Sequence, residues 1–355
     1  MAEKVFQSGG FAYISDQIRK AVENESRTAV ITGNWEIEQA VRLPSNFTLI
    51  LEECHLRMAD GVYENMFVNE HHDTELGKTL AGRDRNISIV GRGEAILDGG
   101  TYNGLSERTQ RTNGLPPIWK NNLILFTNVD GFHMSGFSCH NQRWWALNFI
   151  YCANGYVGNL DFRACDIYVD EDGTEHHGLK REKYAQVLVK NADGVDLRKG
   201  CHHVVIENLT GFTEDDTVAL TALNGKMEAH FAVEGLPEDI CYVEVRNIRS
   251  AAFCSNVRLL NQGGTRLHDI LVDGVYDVGH QSPYMDKGGN ALRLGDTHMY
   301  GDRHATREET YNITLRNIVG AGINVLSIAG AIDNLVMQHI ESVNGAKMLC
   351  DNRTE

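Results

Sequence analysis

The chain has 355 residues, of which 42% are hydrophobic, and a formal net charge of −15. That length allows one elongated repeat domain or two globular ones, and the apolar content is enough for a core. The charge argues against a nucleic-acid partner, which needs a basic surface, and no run of 18 apolar residues offers a membrane span.

The opening residues, Met1-Ala2-Glu3-Lys4-Val5-Phe6, lack the basic region and apolar stretch of a secretory signal, so a cytoplasmic location is expected unless a signal has been removed. Phe11, Ile14, Ile18, Ala21 and Val22 recur at helical spacing and predict one amphipathic helix over 11–23, with Ser15 or Asp16 as its cap. After it the chain reads as short strands. One phrase, apolar-x-apolar-x-x-apolar, starts at Phe132, Val204, Val243, Ile270, Ile313 and Leu335. The steps from 243 to 270 and from 313 to 335 have the size of single solenoid turns, and the longer steps fit one or more turns carrying insertions. With no helical pattern between the strands, the repeat predicts an all-β parallel β-helix, one domain over 1–355 with the N-terminal helix capping its open end. A β-sandwich is the competing fold, since it also has many short strands.

Four polar segments, 167–186, 224–238, 279–289 and 296–309, read as loops, and insertions on one face of a solenoid usually build its binding groove. The first holds Asp170-Glu171-Asp172-Gly173-Thr174-Glu175-His176-His177, which lacks the rest of a calcium loop and reads as a solvated loop or lid. The eight cysteines are dispersed with no Cys-x-x-Cys pair, so they read as buried small apolar residues. No metal or other cofactor is expected.

Two acidic clusters lead into the same apolar alternation: Asn191-Ala192-Asp193-Gly194-Val195-Asp196-Leu197 and Glu214-Asp215-Asp216-Thr217-Val218-Ala219-Leu220. If one repeat is one turn, Asp193 and Asp216 sit on neighbouring parallel strands, about 4.8 Å apart along the stack. Alternation would point Val195, Val218, Val257 and Leu292 into the core. Asp196, Ala219, Arg258 and Arg293 would form an outward column beside Asp193, Asp216, Ser255 and Asn290. An inverting glycosidase needs an acid and a base roughly 6.5–9.5 Å apart. Three carboxylates on two adjacent turns supply such a pair, and crowding keeps one protonated near neutral pH. Turn-capping aspartates, arginines that only neutralise them, and Trp144 and Trp145 as packing residues are the structural alternatives.

These motifs resemble those of the polygalacturonases, glycoside hydrolase family 28. Asn191-Ala192-Asp193-Gly194 is similar to that family's Asn-Thr-Asp-Gly, Glu214-Asp215-Asp216 to its Gly-Asp-Asp, and Asn290-Ala291-Leu292-Arg293-Leu294-Gly295 to the stretch carrying its Arg-Ile-Lys. Leu43-Pro44-Ser45-Asn46-Phe47-Thr48-Leu49, Ile96-Leu97-Asp98-Gly99 and Asn141-Gln142-Arg143-Trp144-Trp145 resemble upstream family stretches, so the likeness covers nearly the whole chain. Two positions depart: Ser255 stands where the family has histidine, and Gly295 where it has lysine.

The resemblance implies a right-handed parallel β-helix and hydrolysis of α-linked uronic-acid or related pectic sugars with inversion. Asp215 would be the general acid, with Asp193 and Asp216 positioning the water. Arg293 would bind the sugar, Arg258 would replace the missing lysine, and Asn290, Ser255, Arg143 and Trp145 would complete the substrate site. An oligosaccharide or polysaccharide partner is expected, and the lack of a secretory signal favours a short oligosaccharide attacked from its end. A lyase, epimerase or transferase, and a non-catalytic carbohydrate-binding β-helix, are the other readings.

Overall fold

The computed structural model describes residues 5–100, 114–164, 167–169, 174–183, 192–296, 300 and 303–354. The repeated phrase explains the coil. In Val243-Glu244-Val245-Arg246-Asn247-Ile248, Val243, Val245 and Ile248 are wholly buried. Simple alternation would turn Ile248 outward. Asn247 prevents this by adopting a left-handed conformation (φ 49°), which inserts one extra residue and bends the strand. Asparagine tolerates that region better than most residues. Asn159, Asn208 and Asn317 do the same on other turns. The side chains form a ladder: the Asn208 amide donates to Asn159 Oδ1 at 3.2 Å, and the Asn247 amide to Asn208 Oδ1 at 2.7 Å.

Val204, Val243, Ile270, Ile313 and Leu335 stand in register on successive strands, so each of these phrases is one turn after the last. Between Phe132 and Val204 lies one further turn, in which Gly155 occupies the apolar position. A β-carbon on Gly155 would overlap the Phe132 ring. The glycine leaves room for that ring, which stacks on Phe149 with centroids 4.4 Å apart.

Strands of successive turns pair in parallel, giving an eleven-stranded and a ten-stranded sheet among the described residues. Each turn of the central coil gives a longer strand to the first and a shorter one to the second, as in His202–Thr213 and Asp216–Ala222. The fold is a right-handed parallel β-helix. Parallel pairing throughout these two sheets rules out the sandwich. The core lies between them, and Val195, Val218, Val257 and Leu292 point into it in register.

The N-terminal helix spans Gly10–Glu23 and packs Ile14, Ile18 and Ala21 over the open end of the coil. Its start differs from expectation. Neither Ser15 nor Asp16 caps it; the Glu38 carboxylate, reaching from the first turn, accepts the Gly9 and Phe11 N–H groups. Asp16 lies one turn inside and pairs with Lys20 at 2.6 Å.

The 224–238 segment contains a short helix, Lys226–His230. In the 167–186 segment, Ile167–Val169 and Glu175–His177 form an antiparallel pair; Asp170, Asp172 and Cys165 lie outside the described residues. The seven described cysteines are free, and Cys54, Cys139, Cys152 and Cys201 are buried. Among the described residues no helix is long and apolar enough to cross a membrane.

Candidate active site

Four consecutive strands of the ten-stranded sheet carry the expected residues: Asp193–Arg198, Asp216–Ala222, Ser255–Asn261 and Asn290–Leu294. Asp216, Ser255 and Asn290 stand in one row, and Asp196, Ala219, Arg258 and Arg293 in a second. Asp193 heads the first row, with Trp145 on the turn before it. Asp193 Oδ1 accepts the Asp216 backbone N–H at 2.9 Å, so the two aspartates meet across one turn.

This face is covered, not solvated. Asp193 is 5% exposed, Asp196 1%, Asp216 9% and Arg258 4%. Insertions provide the cover. The segment around Leu179 bonds to Tyr284 of the 279–289 loop, and both pack with Phe212, Phe253 and Met285 beside the strand starts. Arg181 lies over the Phe253 ring at 3.6 Å. On the other side Met227 and Phe231 pack with Trp144, Trp145 and Trp119, and Trp119 stacks on His230.

Between these insertions lies a cavity of about 280 Å³. Asp193, Asp215, Asp216, Arg258 and Trp145 line it, together with Asp196, Arg198, Glu228 and Tyr300. Asp215 is half-buried. Arg293, Ser255 and Asn290 border the cavity on the following turns and do not line it. Arg143 is 1% exposed, donates to the Gly100 carbonyl and lies outside the lining. Trp145 is 5% exposed, and the Arg198 guanidinium sits 3.9 Å from its ring centroid, so one ring face is already occupied. Trp144 has φ 52°, a costly conformation for an aromatic residue.

Electrostatics follow from burial and crowding. Asp216 is pushed up to about 7, first by burial and then by Asp215, with Arg258 and Ser255 opposing. Asp193 is raised well above the usual carboxylate range by burial and by Asp196, Asp215 and Asp216. Asp196 is raised by burial against the pull of Arg198. Arg258 is lowered by burial and by Arg293 beside it. The Cys254 thiol is driven up by burial and by Asp215 and Asp216, which favours the thiol over the thiolate.

Arg258 Nη1 donates to the Gly295 carbonyl at 2.6 Å, and Arg293 Nη2 to Asp296 Oδ1 at 3.0 Å. The Arg258 guanidinium thus lies against the very residue that stands at the family's lysine position. Arg198, Glu228 and Tyr300 were not legible as site residues. Arg198 follows the alternation of its strand and could have been found there, whereas Glu228 and Tyr300 arrive on insertions.

Among the described residues, Glu70, His71 and Asp84 lie close enough to share an ion. Asp84 Oδ1 is already bonded to His71 Nδ1 at 2.8 Å and to Ser45 Oγ at 2.9 Å, and the group does not line the cavity.

The arrangement defines a class: a parallel β-helix with a carboxylate-rich cavity on one sheet face. No protein-family model matches the chain, and no curated protein does. Solved structures do. Endo-xylogalacturonan hydrolase from Aspergillus tubingensis is 12% identical over 99% of this chain and 96% of its own, with a TM-score of 0.57. A 1,3-α-1,4-β-D-galactose-4-sulfate-3,6-anhydro-D-galactose-2-sulfate 4 galactohydrolase is 11% identical over 95% of this chain and 85% of its own, with a TM-score of 0.59. The likeness is one of fold, the right-handed parallel β-helix.

Proposed function

We propose that the protein is an inverting glycoside hydrolase acting on α-linked uronic-acid or related pectic oligosaccharides. The observation that carries the reading is the placement of Asp193, Asp215 and Asp216 on two adjacent turns, all lining one cavity. Asp215, the more accessible of the three, protonates the leaving oxygen. Asp193 and Asp216 hold and activate the water on the other side of the bond. A base whose affinity for protons is matched to neutral pH is efficient there, and Asp216 is raised to about 7. Arg258 and Arg293 supply the local positive charge that an acidic sugar needs on a chain of net charge −15. The β-helix neighbours named as an endo-xylogalacturonan hydrolase and a galactohydrolase support the class.

Attack from a chain end fits the cavity. At about 280 Å³ it is at the small end for ligand sites, and Ile118, Trp144 and Met227 bound it on the N-terminal side. The test is product analysis on pectic oligosaccharides with wild type beside Asp215→Asn. Stepwise release of a monosaccharide of inverted anomer, lost by at least about 10²-fold in the variant, is expected. Near-normal turnover in Asp215→Asn would remove the assignment.

A further inference from the structure

The residue just before the first inward position of each turn follows a pattern of its own: Asn154, His203, Tyr242, Asp269, Asn312 and Asn334. Each is left-handed, with φ between 46° and 55°, and each is the single residue between two register-paired positions. Asparagine, aspartate and histidine suit that conformation better than other side chains. The amides also tie turn to turn. Asn154 donates to Asp130 Oδ1 at 2.7 Å, Asn312 to Asp269 Oδ1 at 3.0 Å, and Asn334 to Asn312 Oδ1 at 2.8 Å. Tyr242 breaks the series. It is a bulky residue in a costly conformation, it offers no amide to the ladder, and it is 52% exposed. It belongs neither to the core nor to the lining of the catalytic cavity. Its ring is nevertheless braced: the His203 ring lies 4.8 Å away, and the His268 ring meets it in a T-shaped contact at 6.0 Å.

Beside Tyr242 runs an open groove of about 570 Å³, on the eleven-stranded sheet and so away from the catalytic face. Val205, Glu244, Leu271 and Thr314 stand along it in one outward register row. Asp269, Asn312 and Asn334 border it on the side of the ladder. We propose that this groove is a second, non-catalytic carbohydrate site, which holds an uncharged sugar segment with one ring stacked on Tyr242.

A sugar ring presents an apolar C–H face and a rim of hydroxyls, and the groove offers a match to each. Tyr242, Val205 and Leu271 supply apolar surface, and a few polar groups beside such a surface fix a ligand's orientation. Sugar hydroxyls donate to ionised carboxylates in strong charge-assisted bonds. Burial works against the charge on Asp269, but hydrogen bonds from His268 and Asn312 outweigh it and hold Asp269 below the usual carboxylate range. A uronate is the wrong occupant. Among the described residues the lining contains two carboxylates, Glu244 and Asp269, and neither lysine nor arginine. Arg246, outside the lining, is paired with Glu244. An acidic ring would meet like charge with no free cation to offset it, and such repulsion is an effective way to reject a ligand. The site goes beyond the hydrolase reading and holds its ligand whether or not the cavity cleaves.

The test uses the full chain carrying Asp215→Asn, so that binding is read without turnover. The probes are neutral tetrasaccharides of galactose, xylose and glucose, with tetragalacturonate beside them, followed by calorimetry. At least one neutral probe is expected to bind. Adding Tyr242→Asn, which puts back the ladder residue, is expected to weaken that probe at least about tenfold and to leave tetragalacturonate within about twofold. The same variant should melt at or above its parent, because asparagine suits the left-handed backbone. Tyr242→Phe, which keeps the ring, should hold the neutral probe within about threefold. Binding of no neutral probe, neutral binding unchanged in Tyr242→Asn, or a loss that falls equally on tetragalacturonate would overturn the proposal. So would a Tyr242→Asn variant that melts well below its parent, since the tyrosine would then be serving the fold. A wild type that cleaves no pectic oligosaccharide yet binds a neutral probe through Tyr242 would sink the hydrolase reading and leave this one standing.

Discussion

The carboxylate of Asp193 accepts the backbone N–H of Asp216 at 2.9 Å, and this one bond ties the first acidic turn to the second. It gives Asp193 two separable tasks. One oxygen holds the neighbouring strand start in place, while the carboxyl group is one of the three assigned to the proposed chemistry. Asp193→Asn keeps an oxygen acceptor at the same point and removes the charge. Asp193→Ala removes both and leaves a buried N–H unpaired, at a cost of about 1–3 kcal/mol. Both variants are expected to lose at least about 10²-fold in turnover. Thermal unfolding should separate them, with Asp193→Asn melting at or above wild type, because it also relieves repulsion among Asp193, Asp196 and Asp215. Equal destabilisation of the two would show that the bond does not hold the turns together.

The raised Asp216 gives stability a pH dependence of known sign. Its folded value is about 7 against 3.8 for the free group. Between those limits the folded state holds the proton and the unfolded state does not. Its contribution is thus fully present below 3.8 and lost as pH rises through 7, with a slope of at most about 1.4 kcal/mol per pH unit. Buried His72 works in the opposite sense: burial lowers it to about 3 from 6.5, so its contribution is present above 6.5 and lost as pH falls toward 3. Melting curves from pH 4 to pH 8 should therefore show stability falling at both ends. Asp216→Asn is expected to flatten the alkaline side and leave the acid side. An alkaline limb unchanged by that substitution would remove Asp216 as its source.

How much of this was legible follows from how local each feature is. The core pattern of the turns after Val204 was, because one asparagine or its substitute per turn leaves the same x-x interruption in the phrase. The site rows of Asp216, Ser255 and Asn290 were, because strand alternation and a fixed register place them without knowledge of any loop. The helix cap was not: Glu38 comes from the next element, and nothing near Gly9 in sequence points to it. Nor was the enclosure of the site. Alternation alone turns Asp196 and Arg258 toward solvent, and only the docking of insertions far apart in the chain, Leu179 on Tyr284 and Trp119 on His230, makes that face an interior. Glu228 joins Arg198 by the same route. The turn between Phe132 and Val204 was hidden for a different reason, since its inward residue is a glycine.

That glycine makes the last prediction. Gly155 is not in the left-handed region, so its backbone does not require a glycine. Replacing it with alanine restricts the unfolded chain, which by itself would stabilise by about 0.4–1 kcal/mol. Against this stands the overlap of the new methyl group with the Phe132 ring, in an interior where Phe132 is 4% exposed and stacked on Phe149. Overpacking of a tight core costs about 1–3 kcal/mol, so the steric effect wins and Gly155→Ala should lower the denaturant midpoint. Phe132→Leu alone should also destabilise, by emptying the space the ring fills. The double variant should lose less than the two single losses added, because the smaller side chain admits the methyl. Strict additivity would mean that the ring and the glycine do not share that space, and the account of this turn would fail.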